Sequence, residues 1–153
     1  MEIERKFLVS ELPSDLSKYQ KKEMTQGYIS VDPELRIRSS GSKYIFTFKN
    51  SGSLVREEFE SDLTLEQYEN LRQLITGNEI VKTRYKIPLE NELVAELDIY
   101  GGRLNGLTTV EVEFASIEQS KLFNPPNWFG DDVTEDRRYG NSSLSKKLPP
   151  NFS

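Results

Sequence analysis

Pairs of like charges recur along this chain at positions i and i+2. They are Glu2/Glu4, Arg36/Arg38, Glu58/Glu60, Lys82/Arg84, Glu96/Asp98 and Glu111/Glu113. Residues two apart in a strand share a face, where like charges repel each other and a solvated surface gains nothing from them. Carboxylate pairs supply the oxygen ligands of Mg²⁺ or Mn²⁺, whereas arginine and lysine pairs suit phosphate oxygens. The pattern therefore indicates a site for a divalent metal and a polyanion together.

A competing interpretation is an ordinary antiparallel sheet with one charged face in water. That interpretation suits any one strand taken alone. Here, however, the charged faces are charged almost throughout instead of being mixed with serine, threonine and glutamine. Because both signs repeat from strand to strand, a binding site is favoured over a solvated surface.

The composition narrows the possible chemistry. The 153 residues include no histidine and no cysteine, which excludes Ser-His-Asp triads, histidine bases and thiolate or histidine zinc sites. Carboxylates, lysines, arginines, tyrosines or an oxygen-bound metal remain. The net charge of -5 argues against nucleic-acid and acidic-membrane partners. The charged N-terminus and short apolar runs predict a cytoplasmic protein. The expected assembly is a monomer or homodimer.

Alternation of apolar and charged residues predicts a mainly β (α+β) protein with eight strands. We expect a closed eight-stranded antiparallel β-barrel tunnel, as a single domain over residues 1–153. Charged faces would line the tunnel, and a few helices would cover the apolar exterior. The predicted strands are Glu2–Val9, Gln26–Ser30, Leu35–Ser39, Lys43–Lys49, Leu54–Glu60, Ile80–Ile87, Leu93–Tyr100 and Thr108–Phe114.

Four helices are predicted between and after these strands. The clearest covers Thr64–Thr76, where Thr64 and Gln67 match a capping box and Gly77 provides a stop. Shorter helices are expected over Pro13–Tyr19, Ser116–Phe123 and Asn141–Lys147.

The motifs resemble those of the CYTH superfamily, the triphosphate tunnel metalloenzymes. The N-terminal Glu2-Ile3-Glu4-Arg5-Lys6 matches that family's Glu-x-Glu-x-Lys signature. Further similar elements follow in order up to about Lys147: Gln26-Gly27-Tyr28, Leu35-Arg36-Ile37-Arg38, Thr47-Phe48-Lys49, Arg56-Glu57-Glu58-Phe59-Glu60, Lys82-Thr83-Arg84-Tyr85, Glu96-Leu97-Asp98, Glu111-Val112-Glu113 and Asp132-Val133-Thr134-Glu135-Asp136.

The resemblance implies a tunnel that hydrolyses or rearranges triphosphates with a divalent metal. The leading hypothesis is hydrolysis of inorganic triphosphate to pyrophosphate and phosphate, with Mg²⁺ or Mn²⁺ as cofactor and a metal-activated water as nucleophile. A nucleoside or thiamine triphosphatase and a class IV adenylyl cyclase remain alternatives within the family. A non-catalytic polyphosphate sensor is an alternative from a different functional class.

Site residues follow from the tunnel-facing positions and from the resemblance. Phosphates are expected to bind Arg36, Arg38, Lys49, Arg56, Lys82, Arg84 and Lys146. Metal is expected at Glu2, Glu4, Glu111 and Glu113, with Glu58, Glu60 and Asp98 as further ligands or supporting partners. Catalytic roles are expected for Glu4 and for Lys6, which would orient water or the leaving oxygen. For Lys6 the alternative is an ion pair with the neighbouring glutamates, and for Tyr28 it is strand packing instead of substrate contact.

Overall fold

The computed structural model describes residues 2–50 and 57–152. The described residues form nine strands and three α-helices, joined by short 3₁₀ turns. The strands are β1 Ile3–Val9, β2 Gln20–Val31, β3 Glu34–Ser40, β4 Lys43–Lys49, β5 Glu58–Leu63, β6 Thr76–Pro88, β7 Val94–Tyr100, β8 Thr108–Phe114 and β9 Phe129–Asp132. The helices are α1 Leu65–Arg72, α2 Ile117–Leu122 and α3 Asn141–Leu144.

Contacts within the chain divide it into two compact units. The first unit comprises Met1–Lys22 and Lys82–Arg137, and the second comprises Glu23–Val81 and Arg138–Ser153. The boundaries fall inside β2 and β6, so each of these strands contributes residues to both units. That residues 1–153 form a single domain remains a prediction.

The first unit is an antiparallel sheet with one apolar and one charged face. Its strand order is β6–β7–β8–β1–β9. The apolar face carries the core, because alternate residues of each strand point to it. Helix α2 begins after Ser116, whose side chain accepts a hydrogen bond from the Gln119 backbone N–H. The buried core residues are Phe7, Ile87, Ala95, Leu97, Val110, Val112, Phe114 and Phe129.

The second unit is an antiparallel sheet with helix α1 packed on one face. Strands β5, β4, β3 and β2 follow one another in the sheet, and the start of β6 continues the order. The predicted capping box is confirmed, since Thr64 and Gln67 exchange side-chain to backbone hydrogen bonds. Tyr68 of α1 is buried, and its ring centroid lies 5.0 Å from that of Tyr44 on β4, so α1 packs against this strand through two aromatic residues.

The helix prediction for Thr64–Thr76 was wrong at its C-terminal end. Helix α1 stops at Arg72, and Gly77 lies inside β6 with a φ of +77°. A Cβ at Gly77 would lie 2.7 Å from the Ser145 carbonyl oxygen, and the next residue, Asn78, donates its backbone N–H to that oxygen at 2.8 Å. The glycine therefore allows close approach of the C-terminal segment, a tertiary contact that helix propensity does not reveal.

Other boundaries differ from the predictions in smaller ways. The helix expected at Pro13–Tyr19 is reduced to a 3₁₀ turn at Leu16–Lys18. The helix expected at Asn141–Lys147 ends at Leu144. The strand expected at Leu54–Glu60 begins outside the described residues, and β5 continues to Leu63. The ninth strand, Phe129–Asp132, was not predicted, because four residues are too few to show periodicity.

The antiparallel, mainly β class is confirmed, but the closed eight-stranded barrel is a correction. The hydrogen-bonded order has two ends, β5 and β9, so bonds among residues 2–50 and 57–152 do not close the sheet. The cause lies in β1, whose two edges pair with β8 and with β9. None of the helices within these described ranges has the length and apolar character needed to cross a bilayer.

Candidate functional site

The charged face of the first unit places its ionic residues in cross-strand rows. Glu111 on β8 lies directly opposite Glu96 on one side and Lys6 on the other. Lys6 Nζ is 3.7 Å from Glu111 Oε1, and both side chains are largely buried. The next row pairs Glu4 with Glu113. The register thus brings together four of the predicted catalytic and metal-binding residues.

Glu4 is crowded by other carboxylates. Loss of hydration, the charge of Glu111, a hydrogen bond with Glu111 and the charge of Glu2 together raise its pKa to about 8, although the charge of Lys6 acts in the opposite direction. Glu4 nevertheless keeps solvent access. Carboxylates that compete for one proton form a place where an added cation would be stabilised.

This crowding fits an oxygen-coordinated divalent ion. Glu2, Glu4 and Glu111 offer only carboxylate oxygens, which are the ligands that Mg²⁺ and Mn²⁺ prefer. Among residues 2–50 and 57–152, no three acidic side chains are already arranged closely enough to hold an ion. Binding a metal would therefore require these side chains to draw together.

A buried ionic cluster lies next to these rows on the same face. Asp98 accepts from Arg84 Nε at 2.8 Å and from Arg84 Nη2 at 2.9 Å, while Lys82 Nζ lies 2.8 Å from Asp98 Oδ2. Burial alone would raise the pKa of Asp98, but the Lys82 charge and the Arg84 hydrogen bonds outweigh it and lower that pKa to about 2. Burial opposes the charge of Arg84, yet the Asp98 hydrogen bonds and charge raise the pKa of Arg84.

The cluster buries both Lys82 and Asp98. The Lys82 side chain is 0% exposed and Asp98 is 1% exposed. Both Asp98 oxygens contact Lys82 or Arg84, which fits the second of the two roles predicted for Asp98, that of a supporting partner. Lys82, predicted to bind phosphate, is buried against Asp98 and does not present its ammonium group to a ligand in this geometry. Arg84 is held in place by its hydrogen bonds to Asp98. Its side chain is 14% exposed, and its Nη1 lies 3.5 Å from Glu96 Oε2.

The second unit presents Arg36 and Arg38 on β3. Arg38 Nε donates to Gln26 Oε1 at 2.8 Å, and Arg36 donates a side-chain hydrogen bond to Tyr28. Arg36 Nη2 also lies 3.4 Å from Thr47 Oγ1. Gln26, Tyr28 and Thr47 are all buried.

The sequence interpretation assigned no role to Gln26 or Thr47. The available signal was polarity: each is an uncharged hydrogen-bonding residue at a position that shares a strand face with arginines.

Lys49, Glu58 and Glu60 form a mixed row in the second unit. Lys49 lies opposite Glu34 on one neighbouring strand and Glu58 on the other, while Glu60 lies opposite Thr47. Both predicted carboxylates are exposed. Glu58 and Glu60 therefore lie near Lys49, in the second unit. Arg56 lies outside the described residues.

Lys146 follows α3 and is exposed. Its Nζ donates to Thr76 Oγ1 at 2.7 Å, beside the glycine that begins the contact with the C-terminal segment. Arg5 of the same N-terminal motif as Glu4 and Lys6 donates to Asp132 at 2.9 Å, and its guanidinium lies 5.0 Å from the centroid of the Phe7 ring. Arg5 is thus part of the apolar side of the first unit.

Comparison with known proteins places this arrangement in a family. The CYTH domain model matches residues 1–147. The chain belongs to the CYTH family. This match covers both units and every predicted site residue, including Lys146.

Similar CYTH proteins include named enzymes and a solved structure. The chain is 40% identical over 151 residues to the inorganic triphosphatase of Nitrosomonas europaea, covering 97% of this chain and 99% of that protein. It is 35% identical over 157 residues to the inorganic triphosphatase of Acetivibrio thermocellus, covering 99% and 97%. The crystal structure of an inorganic triphosphatase superposes with a TM-score of 0.78 at 39% identity, over 97% of both chains.

Proposed function

We propose that this CYTH protein is an inorganic triphosphatase that hydrolyses tripolyphosphate to pyrophosphate and phosphate with Mg²⁺ or Mn²⁺. In this reaction a water oxygen bonds to a terminal phosphorus while the bond from that phosphorus to the bridging oxygen breaks. The substrate follows the names of the relatives that match almost the full chain at 40% and 35% identity.

One observation carries the proposal: crowded carboxylates and an anchored guanidinium share the charged face of the first unit. Burial and the negative charges of Glu111 and Glu2 raise the pKa of Glu4, so a cation bound beside it would be stabilised. Arg84 is fixed by two hydrogen bonds to Asp98. The carboxylates attract a metal ion, and the neighbouring guanidinium attracts phosphate. Together they suit a complex of a metal ion with polyphosphate.

Glu2, Glu4, Glu111 and Glu113 would hold the metal, which when bound neutralises phosphate charge and lowers the pKa of a bound water. Glu58 and Glu60 remain candidates for a further ion in the second unit.

The basic residues bind and orient the phosphates. Arg84, Arg36, Arg38, Lys49 and Lys146 would donate charge-assisted hydrogen bonds to phosphate oxygens, and Arg56 keeps the same predicted role. Lys6 would donate from Nζ to the oxygen on which charge develops, while Glu111 limits the movement of its ammonium group. Lys82 and Asp98 would act through Arg84, because their own polar atoms are buried. Positioning of this kind contributes most of the catalysis in phosphoryl transfer.

The decisive experiment measures phosphate release from tripolyphosphate with Mg²⁺, Mn²⁺ or EDTA, with ATP and long-chain polyphosphate assayed in parallel. We expect release from tripolyphosphate that EDTA abolishes. Glu4→Gln should lower the rate by more than about 100-fold, beyond the 10–100-fold typical of outer-shell partners of a metal ligand. Glu118→Gln, the same change at an exposed position on α2, is the control and should leave the rate unchanged.

Each other outcome would change the assignment. Full activity of Glu4→Gln would refute the metal site, and activity in EDTA would refute the cofactor. Preference for ATP would favour a nucleoside triphosphatase or cyclase. Metal-dependent binding without turnover of any substrate would favour a polyphosphate sensor.

On the basis of the net charge of -5 we also propose that the protein has no nucleic-acid or acidic-membrane partner. A cytoplasmic location is proposed as well. A monomer or homodimer remains the proposed assembly.

A further inference from the structure

The motif Gln26-Gly27-Tyr28 on β2 has no part in the proposed reaction, yet its packing is tight. Gln26 is 0% exposed and Tyr28 is 2% exposed. On the opposite face, a Cβ at Gly27 would lie 2.5 Å from Ile75 Cδ1, so a larger residue at this position would displace the Ile75 side chain. The backbone of β2 is therefore held closely where Gln26 and Tyr28 project.

Gln26 and Tyr28 face the two arginines of β3. The register places Gln26 directly opposite Arg38 and Tyr28 directly opposite Arg36. Gln26 Oε1 accepts from Arg38 Nε at 2.8 Å, which fixes the plane of the guanidinium group. Tyr28 accepts from Arg36 in the same way, and burial raises the pKa of Tyr28, which keeps its phenol neutral.

Stability alone does not explain a glutamine at position 26. Its amide nitrogen is buried and has no hydrogen-bond partner among the described residues. A buried N–H without an acceptor costs free energy, whereas an apolar side chain of similar shape would avoid that cost. Gln26 therefore carries a penalty that an exchange to methionine would remove.

We propose that Gln26 is a positioning residue that aims the Arg38 guanidinium at the bound triphosphate through an acceptor that carries no charge of its own. A neutral acceptor fixes the guanidinium without neutralising it. A carboxylate at the same place would fix it equally well and compete with the substrate for its charge. This proposal rests on the proposed function, because it assigns Arg38 to that substrate.

Two substitutions test separately whether Arg38 needs an acceptor at position 26 and whether that acceptor must be uncharged. Gln26→Met removes the acceptor and Gln26→Glu keeps an acceptor but makes it anionic. Each should raise the KM for tripolyphosphate by about tenfold or more, with kcat changed by less than about threefold. Gln26→Met removes the unpaired amide N–H together with the acceptor of Arg38, two changes with opposite effects, so its melting temperature should stay close to that of the wild type. Gln20→Glu, the same chemical change at the exposed first residue of β2, should leave KM unchanged.

A double-mutant cycle with Arg38→Ala tests whether Gln26 acts through Arg38. Because Arg38 carries the effect, adding Gln26→Glu or Gln26→Met to Arg38→Ala should raise KM no further. An unchanged KM in either single variant, or an additive increase in the double variants, would overturn the proposal. If Gln26→Glu does not fold, the double-mutant cycle of Gln26→Met with Arg38→Ala still tests the proposal. Absence of tripolyphosphate turnover in the wild type would instead refute the proposed function.

Discussion

The two units use the same sequence pattern of bases in different ways. Lys82/Arg84 in the first unit and Arg36/Arg38 in the second are both i, i+2 pairs on one strand face. The first pair surrounds the buried carboxylate of Asp98. The second pair is held by the amide of Gln26, the phenol of Tyr28 and the hydroxyl of Thr47.

The difference shows that the anchoring partner, more than the base itself, decides what a buried cation does. A carboxylate anchor lowers the cost of burying the cation but uses its charge. A neutral anchor orients the cation and leaves its charge for a ligand. Arg36 is intermediate, since Glu34 also approaches it at 3.8 Å. We therefore expect the first pair to matter most for stability and the second for substrate binding.

Asp98→Ala gives the largest expected effect. Removing the carboxylate leaves the Lys82 ammonium buried without its partner, which should lower the free energy of unfolding by about 3–5 kcal/mol. Urea denaturation at neutral pH measures this. Glu96→Ala, which removes a more exposed carboxylate 3.5 Å from Arg84, should cost at most about 1 kcal/mol. Equal losses in the two variants would show that Asp98 is not the residue that stabilises the buried cations.

Arg38→Ala should have the opposite profile. Losing a charge-assisted hydrogen bond to phosphate costs about 1.5–3 kcal/mol, so the KM for tripolyphosphate should rise by roughly 10- to 150-fold. The free energy of unfolding should fall by less than in Asp98→Ala, because the buried group that loses Arg38 here, the Gln26 amide, is uncharged. Steady-state kinetics and urea denaturation on the same samples check both. A loss of stability as large as that of Asp98→Ala would contradict the comparison.

Acid should weaken only the carboxylate anchor. The folded pKa of Asp98, about 2, lies below its ordinary value of 3.8. Its contribution to stability is therefore complete above about pH 4 and is lost as the pH falls toward 2, with a loss of about 2 kcal/mol. The difference in unfolding free energy between wild type and Asp98→Asn should shrink over this window. A constant difference from pH 5 to pH 2 would argue against the coupling.

Glu4 should show the smallest effect on stability and the reverse pH dependence. Its folded pKa of about 8 lies above the ordinary 4.5, so ionisation destabilises the folded metal-free protein as the pH rises from about 4.5 to 8. In EDTA at pH 8, Glu4→Gln should melt slightly above the wild type, since Glu4 keeps solvent access. Saturating Mg²⁺ or Mn²⁺ should cancel or reverse the difference. A lower melting temperature in EDTA would contradict the crowding of carboxylates.

Much of the secondary structure was predictable from local patterns. Strands such as Lys43–Lys49 and Thr108–Phe114 match the predicted limits, because strict alternation is a strong signal. The capping pair Thr64 and Gln67 was also readable. The end of α1 was not predictable, because Gly77 allows close approach of the Ser145 carbonyl oxygen and does not terminate the helix. Closure of the barrel failed as a prediction because the unpredicted β9 occupies an edge of β1.

The candidate site divides in the same way. The residue types on each strand face follow from the alternation of side chains, so Glu4, Glu111 and Arg38 were identifiable from the amino-acid sequence alone. Their partners were not, because an ion pair or a hydrogen bond depends on which strands become neighbours and in which register. Only the fold places Asp98 between Lys82 and Arg84, and Gln26 opposite Arg38. Local periodicity thus determined which groups are present, whereas strand pairing and burial decided which charges are already neutralised and which remain for a ligand.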